Sequence, residues 1–63
     1  MQKAEYAVYQ GDELLALGTA DECAKLLDIS PERVRIMSYK SHRQYVENSK
    51  HPERMRIAIR VED

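Results

Sequence analysis

Phenylalanine and tryptophan are absent from this 63-residue chain, so a core must come from Leu, Ile, Val, Met, Ala and some of the four tyrosines. A chain this short makes one domain, residues 1–63, near the lower limit for a fold without staples, and its expected stability is modest. A homodimer that buries more apolar surface is the expected compensation. Cysteine occurs once, at Cys23, which excludes an internal disulfide. Neither a signal-peptide pattern nor an apolar run of spanning length is present, and the expectation is a cytoplasmic protein with no membrane association.

The same scarcity argues against catalysis. The two glycines, Gly11 and Gly18, sit in or next to expected turns and cannot assemble a phosphate-cradling loop. His42 and His51 with a single cysteine give no metal-ligand spacing. The acids are scattered as cap and surface residues, and Glu22 is better explained by helix capping than by acid-base work. No enzyme, cofactor or metal is expected. Cys23 falls on the apolar stripe of a helix, where a free cysteine behaves as a small hydrophobe; a reactive thiol is the competing reading.

Positive charge is nearly missing from the first half of the chain. Residues 1–32 hold Lys3 and Lys25 against seven acids, a net of −5, whereas residues 33–60 hold eight bases against Glu47 and Glu53, a net of +6. Glu62 and Asp63 bring the whole to −1. That segregation, hidden in the total, is the main electrostatic signal.

The pattern of the chain predicts an α+β domain of order ββααβ. "AEYAVY" and "ELLAL", separated by "QGD", read as a hairpin over 4–17 with Gly11 supplying the positive φ of a short loop. Thr19 with Glu22 reads as a capping box opening a helix in which Ala20, Cys23, Ala24 and Leu27 share a face. Asp28 marks the corner, as one of the few non-glycine residues that tolerate a left-handed helix end. Ser30 and Pro31 then restart a helix as N-cap and first residue, with Ile29, Val34 and Met37 turned inward. The helix pair is expected within 19–40, followed by a frayed helical extension and a loop to about residue 53. "RMRIAIRV", within 54–61, reads as a half-buried strand joining the hairpin in a three-stranded antiparallel sheet. Its Met55, Ile57, Ile59 and Val61 side is expected under the helices.

A capped helix, a tight corner and a Ser-Pro-capped second helix bearing arginines form the arrangement that presents a helix to double-stranded DNA. Arginine offers guanine paired donors, and a basic second half suits a phosphate backbone. The candidate DNA-binding residues are Ser30, Arg33, Arg35, Ser38, Lys40, His42, Arg43 and Lys50. Of these, Arg33, Arg35, Ser38 and Lys40 are expected at bases, and Arg43 and Lys50 at phosphate; His42 is placed at either. The row Arg54, Arg56 and Arg60 reads equally as a solubilising strand face.

"YAVYQGDELLALGTADECAKLLDISPERVR", Tyr6 to Arg35, resembles small proteins encoded by phages and prophages of Gram-positive bacteria. It is similar, more loosely, to the nuclease-associated modular DNA-binding repeat of homing endonucleases, in which a short hairpin precedes a helix-turn-helix. The resemblance implies a sequence-reading module whose second helix enters the DNA groove, and by position it assigns Ser30, Arg33 and Arg35 to that contact. The chain departs from those repeats in its acidic first half and in carrying no catalytic domain. The expected function is therefore a DNA-binding regulator or accessory factor. The competing reading is a non-enzymatic protein-interaction module whose acidic half engages a protein partner.

Overall fold

A computed structural model of the protein describes residues 4–61. Lys3, Glu62 and Asp63, which enter the charge count, lie outside the described residues. The chain runs β1 (Glu5–Gln10), β2 (Glu13–Thr19), α1 (Ala20–Leu27), α2 (Pro31–Met37), α3 (Lys40–Glu47), a 3-10 turn (Pro52–Arg54) and β3 (Arg56–Val61). The sheet is antiparallel in the order β2-β1-β3. No helix among the described residues is long and apolar enough to cross a membrane.

The local signals of the front half produce the local structure they predict. Gln10 pairs with Glu13 across the two-residue hairpin loop, and Gly11 takes φ 60° there, a conformation that costs glycine little. Thr19 Oγ1 accepts from the Glu22 N–H at 3.2 Å while the Glu22 carboxylate accepts from the Thr19 N–H at 3.0 Å. Gly18 has φ 148°, and a Cβ there would sit 3.0 Å from Glu22 Oε1, so the absence of a side chain makes room for the capping box. Asp28 closes α1 at φ 57° and ψ 47°. Ser30 Oγ accepts from the Arg33 N–H at 3.2 Å, with Pro31 as the first residue of α2.

The helices lie on one face of the sheet, α1 over β2 and α2 over β3. The core between the layers consists of Tyr6, Val8, Ala16 and Ala58 from the sheet and Ala20, Cys23, Ala24, Val34 and Met37 from the helices. Ala16, Val8 and Ala58 form one cross-strand row, small at both edges, which lets the helix backbones approach closely. None of the nine Leu and Ile residues is buried. Cys23 is fully buried, its Sγ 3.6 Å from the carbonyl oxygens of Tyr6 and Gly18.

Two expectations are corrected. The helices cover the Arg56, Ala58 and Arg60 side of β3, not the Ile57, Ile59 and Val61 side. Tyr6 and Val8 face the helices, and their partners on β3 are Arg60 and Ala58. Ala58 is the small residue on which α2 can rest, while the flanking arginines carry their stems along the layer and their charges to solvent. Second, α2 ends at Met37, and residues beyond it form a separate helix rather than a frayed extension. Ser38 Oγ donates to the Arg35 carbonyl at 2.6 Å, and Tyr39 adopts an extended conformation, φ −75° and ψ 148°, that restarts the chain as the N-cap of α3. The helix pair therefore occupies 20–27 and 31–37.

Removing the cap in Thr19→Ala is expected to lower stability by about 1 kcal/mol. Asp28→Gly is expected to raise it by about 1 kcal/mol, by relieving the left-handed residue and removing an acid from a helix C-terminus. Urea midpoints at unchanged m-value check both. Desolvation, reinforced by the neighbouring Glu22 carboxylate, raises the Cys23 thiol above its ordinary 9.0. The unfolded chain therefore releases the thiol proton first, so stability is retained below that pH and falls as pH rises beyond it. The urea midpoint of wild type should drop more steeply between neutral pH and about pH 10 than that of Cys23→Ala.

Candidate nucleic-acid interface

The corner between α1 and α2 is held by the backbone. Asp28 and Ile29 both donate their N–H groups to the Ala24 carbonyl, the latter at 3.0 Å, and α2 begins after three linking residues. Val34 is fully buried and Met37 nearly so. With those two turned inward, Arg33 and Arg35, two residues apart and both exposed, leave the helix in different directions.

Arg33 enters a groove of about 370 Å³ between α2, α3 and the start of β3. Arg54 and Arg56 line its far side, His42 and Gln10 border it, and Ile29, Met37 and Met55 complete its lining. Among the described residues no acidic side chain lines this groove. Three arginines thus line one groove, Arg33 from a segment more than twenty residues from the other two. Such planar donor sets match phosphate and carboxylate oxygens in paired hydrogen bonds.

Other candidates fall elsewhere. Arg35 shares a smaller groove, about 200 Å³, with Asp21, Thr19 and Tyr6. Ser38, Lys40 and Arg43 line a third, about 340 Å³, together with Gln44 and Glu47. Lys50, exposed in the turn after α3, lines none of the three. Two hydroxyls have local tasks: Ser30 caps α2, and Ser38 commits its proton to the Arg35 carbonyl. His42 has a positioning role, its Nε2–H donating to the Arg56 carbonyl at 2.9 Å and tying α3 to the edge of the sheet.

The candidate set is therefore divided, with Arg33 and His42 brought together and joined by residues outside the set, Arg54, Arg56 and Gln10. The signal for the two arginines was present in the row Arg54, Arg56, Arg60. Its meaning depends on which sheet face carries the helices. Nothing in the sequence singled out Gln10, which reaches the groove because it pairs with Arg56. Among the described residues, no group of three or more His, Cys, Asp or Glu side chains could hold a metal ion. Compared with known proteins, the chain matches no family model, no curated protein and no solved structure.

The third helix is the weakest wall of the main groove. Val46 is its one buried residue, Tyr39 provides no side-chain cap, and the His42 bond is its polar tie to β3. His42→Ala is expected to speed hydrogen exchange of the α3 amides about fivefold, leaving α1 and the sheet unchanged. Residue-resolved amide exchange measures this directly.

Proposed function

We propose that the chain is a small DNA-binding module of helix-turn-helix type, acting in the cytoplasm as a regulator or accessory factor of phage or prophage kind. The observation that carries this reading is that Arg33, Arg54 and Arg56 line one groove beside the second helix of the pair, with no acidic side chain lining it among the described residues. Charge segregation supports it: the basic half of the chain supplies α2, α3 and β3, while much of the acidic half lies on the hairpin and α1. Backbone contacts by such a cluster release counterions and orient the protein on the duplex.

In this reading Arg33, Arg54 and Arg56 clamp a phosphate segment, and His42 holds the α3 wall against the strand that carries Arg56. Arg35, on another side of α2, and Lys40 and Arg43, on α3, are placed to reach base edges or the next phosphates. Ser30 serves the contact indirectly, by capping the helix that presents Arg33. The resemblance of residues 6–35 to phage proteins and nuclease-associated repeats points the same way. The exposed apolar face of the sheet favours protein association as a second property.

Fluorescence anisotropy against mixed-sequence duplex DNA, at low and near-physiological salt, tests the reading. Wild type should bind at low salt and weaken steeply as salt rises. Arg33→Ala and Arg56→Ala should each weaken binding about tenfold, and the double variant should lower the salt slope by about 2. Lys25→Ala, on α1 and outside all three grooves, should bind as wild type. Absence of binding at low salt, or binding indifferent to Arg33 and Arg56, overturns the proposal.

A further inference from the structure

The face of the sheet that carries no helix is apolar. Two rows cross it, Leu17–Ala7–Ile59 and Leu14–Tyr9–Ile57, with Val61 beyond. Leu14 and Leu17 are three residues apart, yet share the face because a bulge shifts the register between them and leaves Leu15 as the extra residue. Leu14, Leu17, Ile59 and Val61 are 49%, 57%, 42% and 41% exposed. Leu14, Leu17, Ile57 and Ile59 thus lie on the open face, while the core is built of alanine, valine and cysteine together with Tyr6 and Met37.

We infer that this face joins two copies of the chain, stacked sheet on sheet about a two-fold axis that runs across the strands at the level of Val8. Charge is the first argument for a second copy. Among the described residues the face carries one charged side chain, Glu5, at the end of the central strand between Thr19 and Val61, so an acidic or basic partner finds little to pair with there. An identical neutral face matches it, and the two-fold axis keeps the Glu5 residues at opposite ends. Shape is the second. Ala7, the smallest side chain of its row, lies between Leu17 and Ile59, and Tyr9 stands one step along the same strand face. The two-fold axis sets Tyr9 of each copy over the other's Ala7, Leu14 over Leu17 and Ile57 over Ile59, in the aligned packing that stacked sheets adopt.

Area sets the strength. Three strands of this length present a patch of about 20 Å by about 14 Å. This is comparable with the apolar patches of about 300–600 Å² that mark interaction sites on monomers. It is below the roughly 800 Å² per partner of a standard interface. The dimer is accordingly a weak and reversible one, in exchange with monomer below about 1 mM. Stacking on this face leaves both helical layers outside, so the groove of Arg33, Arg54 and Arg56 stays open and dimerisation stands independently of DNA binding.

Sedimentation equilibrium without DNA tests the inference over a concentration series. The wild-type mass should rise from 7.4 kDa toward twice that value with concentration. Leu17→Lys and Ile59→Lys alter side chains exposed in the single copy, so each should keep its far-UV circular dichroism and remain at the monomer mass throughout. Leu26→Lys, at a 67% exposed position on α1, should associate as wild type. A wild-type protein that stays monomeric to about 1 mM, or either sheet variant associating as strongly as wild type, overturns the inference. Because no DNA is present, neither outcome bears on the groove.

Discussion

The close approach of two short helices to the row Ala16, Val8 and Ala58 is the constraint on which the rest of the structure depends. A domain without Phe or Trp has little bulk to fill a gap between layers, and it closes the gap by using small residues on both sides. Ala20, Cys23 and Ala24 line the underside of α1, and Val34 and Met37 that of α2. The leucines and isoleucines lie outside that core. They are displaced to the rim, as with Leu27 and Ile29, or to the far face of the sheet, as with Leu17 and Ile59. Tight packing of small groups gains dispersion contacts but buries little apolar area per residue, so the fold relies heavily on its caps and turns.

The same packing arranges the charge. With Val34 and Met37 committed to the core, Arg33 and Arg35 must diverge, and with Ala58 under α2, Arg56 and Arg60 must emerge on either side of the helical layer. Arg33 and Arg56 consequently meet at one groove, joined by Arg54 from the 3-10 turn. Like charges held near one another are unfavourable in isolation and become favourable when an anion enters between them. His42, donating to the strand that bears Arg56, links the position of that cluster to the seating of α3. The open sheet face lies on the opposite side, which separates an electrostatic surface from an apolar one.

Features made by residues within a few positions of one another are legible in the sequence itself. Thr19 with Glu22, Asp28, Ser30 with Pro31, and Gly11 each satisfy a backbone requirement locally, and each takes the conformation its residue type implies. Arg33 and His42 are legible as site residues from their types and positions. Their convergence with Arg54 and Arg56 is not, because it depends on where β3 returns after a gap of twenty residues. The break at Ser38 and Tyr39 is also hidden: Tyr39 is no conventional cap, and α3 forms through the tertiary seating of Val46 and His42 rather than through a start signal.

Strand β3 marks the boundary most clearly. Its alternation established by itself that Arg56, Ala58 and Arg60 share one side and Ile57, Ile59 and Val61 the other, since successive side chains of a strand point to opposite faces. Alternation is symmetric between the two faces, however, and the apolar side was the natural choice for the helices. The assembled fold places them on the other side. Helix α2, with Val34 and Met37 turned inward, packs over β3 at Ala58, and an isoleucine at that position would hold it away.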